Sequence, residues 1–89
     1  MKNILLLGAT GSIGDSVLSV IKQNDDKLNL LGISFNHNIA KGKEIIKEFS
    51  PSYAHINDPT GYNKIEKLED CSYFNSTTDL ENIINHKDI

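Results

Sequence analysis

Apolar residues run unbroken from Ile4 to Leu7 and stop at Gly8. That is how a strand covered on both faces reads, and it predicts a first strand over residues 2–7. Ile13, Val17, Val20 and Ile21 then recur at i, i+4, i+7 and i+8, the stripe of an amphipathic helix ending near Gln23 and Asn24. After a polar turn, NDDK, the run LNLLGIS over 28–34 predicts a second strand. Asn38 is placed to cap a helix over 39–49 that buries Ile45, Ile46 and Phe49. Ser50-Pro51 closes that helix, because the residue before a proline is pushed out of the helical region.

The same alternation continues to the end of the chain. YAHI, 53–56, has the length of a short third strand, and Asp58-Pro59 is a cap followed by proline at the first helical position. Tyr62, Ile65 and Leu68 fall on one helical face, and CSYF, 71–74, predicts a fourth strand. Thr78 and Glu81 have capping-box spacing ahead of Ile83 and Ile84, which predicts a last helix. The order is β-α-β-α-β-α-β-α, and the fold class is α/β: a Rossmann-like parallel sheet with helices on both faces. In a doubly wound sheet the next strand returns to lie beside the first. Without it the most apolar strand is an open edge. The expectation is therefore that residues 1–89 are the first half of a Rossmann domain, with the catalytic and C-terminal domains absent from this chain.

Composition narrows the partners. The 89 residues suffice for one small domain, and a net charge of −3 argues against unspecific nucleic-acid binding. Every one of the nine basic residues is lysine, so no arginine fork is present for phosphate. No apolar run approaches the length of a membrane span. The single cysteine, Cys71, has no internal disulfide partner and no ligand-spaced neighbour. The basic, then apolar, opening mimics a signal peptide, but the glycines behind it are better explained by a strand and its turn. A reducing, cytoplasmic setting follows, with no membrane and no nucleic acid as partner.

Gly8, Gly11 and Gly14 carry the candidate chemistry. Between a strand and a helix, the first glycine permits a tight turn and the second lets a diphosphate approach the backbone. The third lets the helix pack close to the strand. The amides of Thr10, Gly11, Ser12 and Ile13 then face a ligand at the positive end of the helix dipole. The spacing is G-x-x-G-x-x-G rather than G-x-G-x-x-G, and its weight comes from the surrounding βαβ pattern. A structural turn without ligand is the plain alternative. NAD sites place an acid at the end of strand two, but no Asp or Glu occurs from Leu28 through Ala40. Asn36, His37 and Asn38 offer donors there, and Lys41 and Lys43 offer charge, so the reading is NADP(H) rather than NAD(H). An ordinary solvated loop is the bland reading of those same residues.

The remaining candidates read as structure. Asp15 suits the first turn of a helix, His55 and the aromatic residues read as packing, with Phe35 held open because it adjoins the proposed adenosine pocket, and Cys71 reads as a small buried hydrophobe. No carboxylate pair stands out as acid and base, and no His/Asp/Glu cluster has metal spacing. No catalytic residue and no metal ligand is assigned.

LLGATGSIGDSVLSVI followed by NIAKGKEIIKEFSPSYAHI resembles the amino-terminal part of the 1-deoxy-D-xylulose 5-phosphate reductoisomerase family. The loop alone fits other NADP enzymes, and EFSPSYAHI makes the match specific. It extends over about residues 2–60. The resemblance implies rearrangement of a phosphosugar, 1-deoxyxylulose 5-phosphate, and NADPH-dependent reduction to 2-C-methylerythritol 4-phosphate in the non-mevalonate isoprenoid pathway. It also implies a homodimer, a divalent cation (Mg, Mn or Co), and a bacterial cytoplasmic or plastid-type location. Carried over by position, the cofactor contacts fall on Thr10, Gly11, Ser12, Ile13, Asn36, His37 and Asn38. Asn38 matches the family pattern. Asn36 and His37 depart from its usual Gly followed by Lys, Arg or Ser. The family's metal, substrate-phosphate and A-N-K-E-S segments lie beyond residue 89. Two rivals stand beside this reading: another NADP-dependent short-chain-type reductase, and a non-catalytic dinucleotide-sensing module.

Overall fold

The computed structural model describes residues 2–36, 38–65, 67, 68, 70–76, 81 and 85. Four strands and three helices alternate: β1 Lys2–Leu7, α1 Ser12–Gln23, β2 Leu28–Phe35, α2 Ile39–Phe49, β3 Tyr53–Ile56, α3 Pro59–Lys64 and β4 Ser72–Phe74. The sheet is parallel and its order is β1-β2-β3-β4. A strand order that steps outward one place at a time, with right-handed crossovers, puts all three connecting helices on one face, so the helices predicted on both faces are not found among the described residues. Contacts between neighbouring helices agree. Asp15 pairs with Lys41 at 2.6 Å and Lys22 with Glu48 at 2.8 Å, tying α1 to α2, and Ile39 of α2 lies over Gly61 of α3. Of the expected last helix only Glu81 and Asn85 are described, joined by a helical bond from the Asn85 N–H to the Glu81 carbonyl at 3.0 Å.

Register decides which residues meet the helices. Leu6 lies beside Ile33 and Ile33 beside Ala54, while Phe35 lies beside Ile56. These side chains form the core with Leu18 and Ile21 of α1 and Ile45 and Ile46 of α2. The residues between them, including Leu5, Leu7, Ser34, Tyr53 and His55, belong to the opposite face. Leu31 has no partner in β1, because Ile4 pairs with Leu30 and Leu5 with Gly32. This one-residue bulge keeps both Leu30 and Ile33 on the core side.

The caps follow the sequence. The Asn38 side chain accepts from the Lys41 amide, and Asp58 accepts from the amides of Thr60 and Gly61 behind Pro59. Ser50 ends α2 in the left-handed region (φ 50°) with its N–H on the Ile46 carbonyl.

Two expectations change. Ile13 and Val20 were expected inside, yet they are 81% and 52% exposed, while Gly14, Leu18 and Ile21 are buried. The periodicity found the helix and placed Val17 and Ile21 on its inward face, while Ile13 and Val20 fall outside it. Leu7, on the edge strand β1, is 56% exposed as well. The helix expected to carry Tyr62, Ile65 and Leu68 ends at Lys64, since Ile65 is extended at ψ 137°. Ile65 is buried all the same, and the Leu68 amide donates to the Tyr73 hydroxyl at 3.0 Å. A non-helical turn thus delivers the same apolar residues to the core.

One packing detail is testable. A Cβ at Gly42 would meet the Phe35 ring, with Cε1 at 2.7 Å. Gly42→Ala gains about 1 kcal/mol of helix propensity and loses about 1–3 kcal/mol by overpacking. The expected result is a net loss of about 1 kcal/mol, read as a lower urea midpoint; a raised midpoint would show that the ring slides aside freely.

Candidate functional site

The turn from β1 into α1 is fixed by a few backbone bonds. Gly8 adopts φ +71°, which a side chain would strain. The N–H groups of Gly8 and Ala9 both donate to the Ser34 carbonyl, at 2.8 and 3.0 Å. The Gly11 N–H donates back to the Gly8 carbonyl at 3.1 Å, and Ser12 then opens α1.

The three glycines separate by what the fold asks of them. Gly8 is required by its φ, and Gly14 by close packing, since a Cβ there would sit 2.9 Å from the Gly8 carbonyl oxygen and closer still to Ala9. Gly11 has neither reason. Its backbone is ordinary (φ −84°, ψ 175°) and a Cβ would find only the Gly8 oxygen, at 3.6 Å. The missing side chain at Gly11 therefore matters only toward whatever approaches from outside. Gly11 is also the N-cap of α1 and brings no side-chain acceptor. The amides of Ser12 and Ile13, in the first turn, have no acceptor within the helix. One detail of the expectation changes here: the Gly11 amide is already taken by Gly8, so Gly11 contributes clearance rather than a donor.

The residues after β2 lie at the same end of the sheet. Gly8 and Asn36 line one cavity of about 320 Å³, together with Ser34, Phe35, His55 and Asn57. Asn36 is exposed and its Oδ1 accepts from Asn57 Nδ2 at 3.5 Å. Asn38 is exposed too, and its Oδ1 is occupied as the cap of α2 at 3.4 Å. His37 lies outside the described residues. Lys41, offered above as a charge for phosphate, is held by Asp15. Thr10 is half-buried and Ser12 exposed.

The cavity includes residues that the sequence did not single out. Ser34 (9% exposed) and His55 (2%) are the buried polar side chains among the described residues, and they bond to each other, Oγ to Nδ1, at 2.9 Å. His55 Nε2 is buried with no hydrogen-bond partner among the described residues, which costs about 1–3 kcal/mol. The only signal in the sequence was a polar residue near the end of each of two apolar strands.

Elsewhere the chemistry is quiet. Burial pushes the Cys71 thiol up, with a hydrogen bond to Tyr73 acting against it, so little thiolate forms at neutral pH. No group of three His, Cys, Asp or Glu side chains among the described residues could hold a metal ion. No described helix is long and apolar enough to cross a membrane.

Against this geometry stand the known proteins. The family profile described as 1-deoxy-D-xylulose 5-phosphate reductoisomerase matches residues 4–89. A 1-deoxy-D-xylulose 5-phosphate reductoisomerase of Clostridium beijerinckii is 46% identical over 67 residues, covering 75% of this chain and 17% of that protein. The Zymomonas mobilis reductoisomerase, solved in complex with NADPH, superposes with a TM-score of 0.79 at 29% identity over 89% of this chain and 22% of its own. A DOX-P reductoisomerase in complex with NADPH, fosmidomycin and magnesium superposes at 0.87, covering all of this chain and 23% of its own; at 22% identity it speaks for the fold alone. The chain thus spans about a fifth of the length of the relatives it matches.

Proposed function

This chain belongs to the 1-deoxy-D-xylulose 5-phosphate reductoisomerase family, and we propose that it is the amino-terminal part of that enzyme's NADPH-binding domain. The complete enzyme converts 1-deoxy-D-xylulose 5-phosphate to 2-C-methyl-D-erythritol 4-phosphate in the non-mevalonate isoprenoid pathway. The observation that carries the reading is Gly11, a glycine at the mouth of a helix for which neither backbone angle nor internal packing gives a reason. A diphosphate approaching the Ser12 and Ile13 amides supplies one.

Within this reading the chain binds and orients the nucleotide. The Thr10–Ile13 turn takes the diphosphate through amides and the Thr10 and Ser12 hydroxyls. Asn36, His37 and Asn38 take the adenosine end with its 2′-phosphate. The absence of an acid from Leu28 through Ala40 spares that phosphate a repulsion. NADPH, when bound, supplies the hydride. The divalent cation, the phosphosugar site and the catalytic groups are assigned to residues outside this chain, and the complete enzyme is taken as a cytoplasmic homodimer. A family match over residues 4–89 favours this reading over a short-chain-type reductase or a dinucleotide sensor.

The test uses the complete polypeptide in which these residues occur. Oxidation of NADPH is expected only when both magnesium and 1-deoxyxylulose 5-phosphate are present, and NADPH should bind at least about tenfold more tightly than NADH, or about 1.4 kcal/mol. Equal dissociation constants for the two nucleotides would sink the cofactor assignment. Metal-independent turnover of another substrate would sink the family reaction.

A further inference from the structure

His55 stands out as a buried group that the reading above does not use. It faces Ser34 across the β2–β3 pairing, near the carboxyl ends of both strands, where nucleotide folds place their ligand. The interior of a parallel sheet is ordinarily apolar, and two valines would fill such neighbouring positions without leaving an unpaired nitrogen. The pair instead holds one hydrogen bond, Ser34 Oγ to His55 Nδ1 at 2.9 Å, and leaves Nε2 without a partner among the described residues. A buried polar atom left unsatisfied in this way asks for a reason other than stability.

What the pair fixes is the phosphate turn. The Ser34 carbonyl is the common acceptor for the Gly8 and Ala9 amides, the first two residues of that turn. The same cavity joins Gly8, Ser34, Asn36 and His55. A Ser34 free to shift would carry Gly8 with it, and the start of α1 would follow.

Resting on the NADPH reading, we propose that His55 is a positioning residue for the nucleotide, acting through Ser34 to set where the Gly8–Gly11 turn and the first amides of α1 meet the diphosphate. His55 touches neither the reacting atoms nor the hydride. Its removal therefore changes how well NADPH is held rather than how fast the bound complex reacts.

The experiment compares His55→Val, His55→Asn and Ser34→Ala in the complete polypeptide, with NADPH titrated by its own fluorescence and in steady-state turnover. His55→Val and Ser34→Ala should each raise the dissociation constant and KM for NADPH about tenfold, the equivalent of one hydrogen bond. The kcat and the KM for the sugar phosphate stay within twofold of wild type. His55→Asn, which keeps a polar atom near the Nδ1 position, should restore NADPH affinity to within about threefold. If His55→Val fails to fold, Ser34→Ala removes the same bond with a one-atom change. Unchanged KM for NADPH in Ser34→Ala overturns the proposal, as does an equal loss in Val and Asn variants, which would mark the ring as packing. Wild-type protein that binds no NADPH overturns the cofactor reading as well. Wild-type binding with indifferent variants overturns this inference alone.

Discussion

Gly14→Ala should lower the stability of the protein by about 3 kcal/mol and abolish nucleotide binding along with it. A Cβ at this position meets backbone on two sides: the Gly8 carbonyl oxygen at 2.9 Å and the Ala9 carbonyl carbon at 2.7 Å. Neither can rotate away. Gly8 and Ala9 are held to the Ser34 carbonyl, and Ala9 is fully buried. The contrast with Gly42 is instructive, because the obstacle there is the end of a Phe35 side chain. At Gly14 room is made only by lifting the start of α1 off the turn, which uncovers Leu18 and Ile21 behind it. The gain in helix propensity, at most about 1 kcal/mol, is too small to compensate. Typical domains hold only about 5–15 kcal/mol in total, so the urea midpoint should fall visibly in the complete polypeptide. An unchanged midpoint would mean that the helix is not seated as closely on the turn as this geometry requires.

The same turn shows what could be read in advance. Strand and helix bounds were legible within a residue or two for every element but α3, whose end was not, because each is marked locally: the apolar run ending at Gly8, the Asn38 cap, Ser50 before Pro51. What failed was non-local. A helical stripe says which residues share a face but not which face meets the sheet. Six residues of α1 from Ile13 to Ile21 are apolar or glycine in two adjoining rows, and the sheet took the row of Gly14, Leu18 and Ile21. Ile13 and Val20, in the other row, stay in solvent. After α3, Ile65 and Leu68 reach the core through a turn that Tyr73, from the next strand, helps to close.

The site divides along the same line. The glycines and the missing acid after β2 are contiguous features and could be read directly. The Ser34–His55 pair depends on the register of two strands whose residues are 21 apart, and the Asp15–Lys41 pair on the packing of two helices. The second pair also changes a chemical expectation. Lys41 was a candidate charge for the 2′-phosphate, and its ammonium group is instead committed to α1. On the proposed reading, recognition of that phosphate falls to Asn36, His37 and Asn38 with Lys43, so it leans on hydrogen-bond donors and the absence of a carboxylate rather than on Lys41.

Gly11→Ser should separate binding from folding. Serine fits the observed conformation, φ −84° and ψ 175°, and its Cβ finds no atom nearer than 3.6 Å. As an N-cap it is at least as good as glycine, and its hydroxyl accepts from a first-turn amide, so stability should hold or rise by a few tenths of a kcal/mol. The nucleotide meets the opposite situation. On the proposed reading, the new side chain stands where the diphosphate would come closest to the backbone, and its hydroxyl occupies an amide that the phosphate would use. Hydrogen bonds to charged groups are worth about 1.5–3 kcal/mol, so the NADPH dissociation constant should rise about 10- to 100-fold. Measuring the urea midpoint and the fluorescence titration on the same preparation gives both answers at once. A stable variant that has lost NADPH shows that Gly11 is a glycine for the ligand's sake. A destabilised variant with unaltered affinity would place the reason inside the fold, and the phosphate turn would lose its strongest argument.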